Sequence, residues 1–330
     1  MSAPETLMHP MRLLAISLCF TLFAGAVVAA AQQPTSPAQP AASPTPANGT
    51  QQLPTVRVKT DEVNVVFTVV DKDGRLVPDL KQEQFTITDN GLPPQKVLEF
   101  RAQTDLPLFV GLLIDSSNSI RTRFQFEKDA ASEFLYDVIR PKQDRAFVMS
   151  FDEEAEVMQD FTGDLDKLRS GIEGIKAGGG TAMWDAIYFS CREKLLKEPA
   201  RDAVRRAIIL VSDGDDNLSR VLRQEAVEMA QRAGVIIYAI STSLMSSNSK
   251  GDNNLKLLAE ATGGRAFFPV SLNAVSTAFN DIQKELRSQY SVTYRPENLV
   301  ANGEFRAIQI LADNKKLKVR ARKGYFVPKQ

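Results

Sequence analysis

Apolar and polar positions alternate with a period of two from Val63 (VNVVFTVV), break at Asp73-Gly74 and resume. FTITD and KVLEFRA add two more alternating runs on either side of an Asn90-Gly91 turn. Period two with turn residues between runs is the pattern of antiparallel β-structure. It returns at the far end of the chain in YSVTYRP, FRAIQILAD and KLKVRARKGYFVP, with Asn302-Gly303 and Asp313-Asn314 at the bends. Each piece has too few strands for a core of its own. The two are therefore expected to pair with each other as one small β-sandwich, with the middle of the chain inserted between them.

The middle follows a different rule. PLFVGLLID, RRAIILVSD and VIIYAIS are almost continuously apolar, as strands buried on both faces must be. DRAFVMSF reads as another strand, EAEVMQDF as its edge partner and RAFFPV as a last one. Between them lie helical stripes: Phe124, Ala131, Phe134, Leu135 and Val138; the short LDKLRSGIEGI; then Met183, Ile187, Cys191 and Leu195, four apart. VLRQEAVEMAQRAG is a helix stopped by Gly234, and Leu272, Val275, Phe279, Ile282 and Leu286 mark the final helix. STSLMSSNSKGDNN reads as a long, polar, mobile loop. The fold class predicted is α/β: a doubly wound, mostly parallel sheet inserted in a β-sandwich made by the two terminal segments.

Composition adds mainly exclusions. The chain has 330 residues with 40 basic and 40 acidic side chains, which gives no support for a nucleic-acid partner. Arg12, the apolar run Leu13–Ala30 and the small residues Ala29-Ala30-Ala31 read as a secretory signal peptide over 1–31, with Met11 as an alternative start. A secreted or periplasmic location follows, with no membrane-spanning segment after cleavage. Residues 32–54 are rich in Pro, Ala, Ser and Thr and read as a tether. The expected organisation continues with a β segment at 55–104, the α/β domain at 105–290 and a second β segment at 291–330. Cleavage would remove His9 and Cys19, leaving no histidine and only Cys191. That excludes an internal disulfide, a Ser-His-Asp triad, a Cys-His pair and a His-ligated zinc site.

In sheets of this kind ligands bind at the carboxyl ends of the strands. Asp115, Ser117 and Ser119 follow the first buried strand, Thr181 follows Gly178–Gly180, and Asp213 ends another buried strand. Two carboxylates and three hydroxyls, without nitrogen or sulfur, make a donor set for a hard divalent cation, Mg²⁺ first, with Mn²⁺ or Ca²⁺ as alternatives. One coordination position can stay open for an acidic group of a partner. Simpler roles compete: Asp115 as a helix cap, Asp213-Gly214 as a turn, Asp215 and Asp216 as solvated loop acids, Asp185 as a complement to a helix dipole. Trp184 and Cys191 fit as packing residues. The GGGTA stretch lacks the lysine of a phosphate-binding loop.

Asp115-x-Ser117-x-Ser119, the glycine loop ending in Thr181 and the aspartate after an apolar strand together resemble the metal-ion-dependent adhesion site of von Willebrand factor type A domains. The resemblance spans about 105–290, and the flanking pieces resemble a secreted bacterial subgroup, the VWFA-related acidobacterial-domain proteins. It implies that Ser117, Ser119 and Thr181 bind the ion and that Asp115 and Asp213 act directly or through water. Asn118 stands where the family often has glycine; asparagine tolerates left-handed backbone angles. The function expected is cation-dependent protein binding without catalysis, through an acidic side chain of the partner. Two alternatives remain: an envelope scaffold whose metal only stabilises loops, and an Mg²⁺-dependent phosphatase-like enzyme. The latter needs a second aspartate where Ser117 stands.

Overall fold

In chain order the N-terminal segment supplies β1 (Val63–Val70), β2 (Phe85–Asp89) and β3 (Lys96–Arg101). The central region runs β4 (Leu108–Asp115), α1 (Phe124–Val138), β5 (Arg145–Phe151), β6 (Ala155–Thr162), α2 (Leu165–Gly174), α3 (Met183–Phe189) and β7 (Arg205–Ser212). It continues with α4 (Arg223–Arg232), β8 (Val235–Ser241), α5 (Lys250–Thr262), β9 (Ala266–Phe267) and α6 (Leu272–Arg287). The C-terminal segment adds β10 (Tyr290–Arg295), β11 (Phe305–Ala312), β12 (Lys318–Ala321) and β13 (Gly324–Phe326). This computed structural model describes residues 62–102, 105–118, 124–199, 204–243 and 249–329, all in one compact unit. The expected signal peptide and tether lie outside the described residues. Among those residues no helix is long and apolar enough to cross a membrane.

The central sheet has the order β6-β5-β4-β7-β8-β9 and is parallel except for β6, which pairs antiparallel at one edge, as its sequence predicts. All eight residues of β4 are buried, because β5 and β7 flank it and helices cover both faces. Leu112 and Ile114 pack with Phe134 and Phe279 of α1 and α6; Leu113 faces the other way, with Phe147, Ile187 and Leu255. Each such side chain contributes roughly 1.5–3 kcal/mol when fully buried.

The terminal segments interleave, as expected. β1 lies between β10 and β12, and β3 pairs with β10, giving the sheet β12-β1-β10-β3. β2 pairs with β11 in the second sheet, β13-β11-β2. The two share a core containing Phe67, Ile87, Tyr290 and Ile310, with the Phe67 and Tyr290 rings stacked at 5.1 Å. Asp89 is fully buried there and accepts hydrogen bonds from Arg306, Tyr294 and Tyr325.

Several expectations are corrected. KLKVRARKGYFVP is two strands in two sheets, divided at Arg322-Lys323. The helix carrying Met183 leaves α-geometry at Ser190 and runs to Leu195 with i→i+5 bonds, Leu196 N–H to the Cys191 carbonyl at 3.0 Å. The wider turns keep residues four apart on one face, so Met183, Ile187, Cys191 and Leu195 are all buried. Leu272, the first residue of α6, is 40% exposed and not part of its buried stripe. The expected long loop is cut short by α5, which begins at Lys250.

Candidate metal centre

β4 and β7 run in parallel register, Ile114 beside Val211, so Asp115 and Ser212 reach the same end of the sheet together. Asp115 is fully buried. Its Oδ1 accepts the Ser117 N–H at 2.9 Å and its Oδ2 accepts the Ser212 hydroxyl at 2.7 Å. Burial pushes its carboxyl up to about 6, against the pull of hydrogen bonds from the Ser212 and Ser117 side chains and the Ser117 N–H, while the nearby Asp213 charge pushes it further up. Among the described residues no lysine or arginine pairs with Asp115.

A second loop is clamped onto the first. Gly178 N–H donates to the Ser116 carbonyl (2.7 Å), and the Asn118 amide donates to the Gly179 carbonyl (3.2 Å). Gly179 has φ +68°, and a Cβ there would come within 2.8 Å of Glu153 and 3.2 Å of Asp152. Only glycine combines that backbone angle with so close an approach. Asn118 itself does not adopt a positive φ. Its side chain secures the loop by a hydrogen bond and not by a left-handed backbone.

Thr181 is buried at the end of this loop, its N–H held by Asn217 Oδ1 at 2.9 Å. Asn217 and Leu218 N–H groups return to the Thr181 carbonyl, both at 3.1 Å. Asp216 is half-buried and accepts the Trp184 N–H and the Ser219 hydroxyl, so it anchors a loop and is not a free solvated acid. Asp185 accepts the N–H groups of Arg220 and Val221, a tether stronger than the dipole role expected of it. Trp184 is buried, as packing requires.

Asp213 is braced by residues that sequence reasoning missed. Gly214 has φ +80°, and a Cβ on Gly251 would fall 2.2 Å from the Asp213 carbonyl oxygen. The start of α5 therefore lies directly against the Asp213-Gly214 backbone. Asn254 donates to the Gly214 carbonyl (3.0 Å), and buried Asp252 accepts the Ser241 hydroxyl (2.9 Å). Ser249 caps α5 by accepting the Asp252 N–H at 2.9 Å. Ser249-x-x-Asp252 before Leu255 and Leu258 was the readable signal for this helix.

Of the five predicted residues, Asp115 and Ser117 are in hydrogen-bond contact and Asp213 acts electrostatically on Asp115. Thr181 sits on the loop tied to Ser116 and Asn118. Ser119 lies outside the described residues. Among the described residues no group of three or more His, Cys, Asp or Glu is placed to hold a metal, so hydroxyls must complete any donor set. Oxygen donors around a buried carboxylate that lacks a cationic partner fit a hard divalent cation.

The family model for the von Willebrand factor type A domain matches residues 110–284, just over half the chain. Among solved structures, the vWF domain of the type V pili tip protein Mfa5 from Porphyromonas gingivalis is 16% identical, covering 55% of this chain and 95% of that one, with a TM-score of 0.47. Mussel byssus proximal thread matrix protein 1 with a zinc-occupied MIDAS motif is 19% identical, covering 59% and 48%, with a TM-score of 0.47. The PilB minor pilin from Streptococcus sanguinis is 14% identical, covering 57% and 63%, with a TM-score of 0.45. The chain thus spans less than two thirds of the last two. No curated protein matches it.

Proposed function

Because the chain belongs to the von Willebrand factor type A domain family, we propose that it is a secreted or periplasmic protein-binding module that grips an acidic side chain of its partner through a divalent cation, Mg²⁺ first. Asp115, Ser117, Ser119, Thr181 and Asp213 would hold the ion. The observation that carries this reading is the buried Asp115 carboxylate at a strand end, close to a second carboxylate and without a cationic side chain beside it among the described residues. A bound cation would supply that counter-charge and an open position for the partner's carboxylate.

The protein's own residues do the positioning. Ser212 orients Asp115, the Gly178–Gly180 loop that carries Thr181 is tied to Ser116, and α5 fixes the backbone at Asp213. These loops are tied by protein hydrogen bonds, which favours a metal that serves a partner over one that merely orders loops. Catalysis is not part of the proposal: Cys191, the only cysteine among the described residues, is fully buried, and burial pushes its thiol above the ordinary range.

Calorimetric titration tests the reading. Mg²⁺ or Mn²⁺ should bind one site in the full chain, and Asp115→Ala should abolish that binding. Capture of a partner from an envelope fraction should be lost with EDTA. Unchanged metal binding in Asp115→Ala would sink the proposal, and turnover of a phosphate ester lost in Asp115→Asn would favour the phosphatase-like alternative.

A further inference from the structure

At the opposite end of the central sheet, where β7 and β8 begin, a cavity of about 430 Å³ opens between the sheet and β1 of the sandwich. That volume lies within the ordinary range for small-ligand sites. Four arginines line it, Arg205, Arg206, Arg232 and Arg322, against a single described carboxylate, Glu62. We infer that this cavity binds a small oxyanion, a phosphate or carboxylate group, gripped by the guanidinium groups of Arg206, Arg232 and Arg322 in the field of Arg205.

The donors divide cleanly into spent and open. Arg205 is buried and engaged by the Leu106 and Leu286 carbonyls and Gln289, so it contributes charge more than free N–H groups. Its acidic neighbours, Asp105 and Asp144, are both ion-paired with Arg140. Arg206 commits only its Nε–H, to the Leu195 carbonyl at 2.8 Å. Arg322 commits Nη2 to the Asn64 carbonyl at 2.8 Å, while its Nε is buried without a hydrogen-bond partner among the described residues. Its Nη1 lies 3.7 Å from where a Cβ on Gly234, part of the cavity wall, would sit. Arg232 stacks over Phe326 at 4.2 Å and donates Nε and Nη2 to half-buried Glu228, which leaves its Nη1 uncommitted. Burial lowers the affinity of Arg205, Arg206 and Arg322 for their protons, with Arg205 pushed down to about 10. Arg322 also lies in the field of buried Asp89, which is itself ion-paired with Arg306. The direct acceptors of Arg205, Arg206 and Arg322 are neutral carbonyls and an amide, and charges held at such a cost are stabilised by an incoming anion.

Guanidinium forks match the planar oxygens of carboxylate and phosphate, which sets the ligand's chemistry. Residues 32–60 contain no Asp or Glu, so that stretch of the chain does not supply it. The ligand proposed is a separate small molecule. This inference is independent of the metal site, which lies at the other end of the same strands.

The test is calorimetry on the full chain in metal-free buffer, titrating inorganic phosphate and, separately, succinate at constant ionic strength. Saturable one-to-one binding of either is expected. Phosphate alone would assign phosphate esters, and succinate would assign carboxylates. Arg206→Gln and Arg322→Gln should each weaken binding about tenfold, the loss of a charge-assisted hydrogen bond. Arg206→Lys should retain part of it, and exposed Arg75→Gln should change nothing. Thermal unfolding without anion checks that each variant folds. Absence of saturation by both anions, or wild-type affinity in either Arg206→Gln or Arg322→Gln, would overturn the assignment.

Discussion

At the scale of single residues, Asp115 sets a conflict between stability and binding. In the metal-free protein its carboxyl titrates near 6, against 3.8 as the ordinary value. Between those values the folded chain holds more protons than the unfolded one, so stability falls as pH rises through that window. The loss is about 3 kcal/mol at most, from two pH units at roughly 1.4 kcal/mol each. Asp115→Asn removes the charge and keeps the shape. It should raise the metal-free melting temperature at pH 7 by a few degrees, while abolishing the further rise that the proposed site predicts for wild type with Mg²⁺. On the proposed reading, proton and metal compete for the same carboxylate, so Mg²⁺ affinity should fall about tenfold per pH unit below roughly pH 6. Titrations at several pH values check this, and a flat profile would remove Asp115 from the ligand set. Asp115, Thr181 and Asp213 stand out in the sequence because each polar residue ends an apolar run or follows a glycine loop. Ser212, which holds Asp115, was not. A serine at the last position of a buried strand looks the same whether it packs or orients a carboxylate.

Elements were legible where burial imposes a period and illegible where a polar role overrides one. The buried strands read correctly because a central parallel strand tolerates few polar residues on either face. α5 did not, since its first turn after Lys250 runs Gly251-Asp252-Asn253-Asn254, four poor helix formers. Those residues are there for Asp213: Gly251 for contact, Asn254 for the Gly214 carbonyl, Asp252 for Ser241. The first turn of α5 gives up helix propensity to brace a neighbouring loop. Gly251→Ala would put a Cβ 2.2 Å from a backbone oxygen of Asp213. It should cost about 1–3 kcal/mol in overpacking and weaken Mg²⁺ binding at least tenfold, as that oxygen's loop moves. Denaturation and calorimetry on one variant separate the two effects. A stability loss with normal metal affinity would show that α5 does not position Asp213.

At the scale of the whole molecule, the sandwich is built into the domain rather than appended to it. Buried Glu285 of α6 accepts the Tyr238 hydroxyl from β8, the Thr68 hydroxyl from β1 and Arg320 from β12. Breaking a buried ion pair from one side costs about 3–5 kcal/mol, so Glu285→Leu should lower the melting temperature sharply and split one unfolding transition into two.

The outward field is less even than the zero net charge of the chain implies. Beside Ser116 a cavity is lined by Asp152, Glu153, Glu154 and Glu156, with Lys176 as its basic member. Glu153 and Glu154 also line the neighbouring cavity with Asp185 and Arg220. On the proposed reading, a partner that brings a carboxylate to a bound cation must cross this acidic rim, so its own surface around that carboxylate should be basic. Opposed surfaces of this kind mainly accelerate encounter, and salt screens them over about 8–10 Å. With the partner recovered by EDTA-sensitive capture, association should slow as salt rises. The double variant Glu153→Lys, Glu154→Lys should reduce the on-rate about tenfold and leave the off-rate nearly unchanged. A faster on-rate in that variant would mean that the partner's face is acidic throughout.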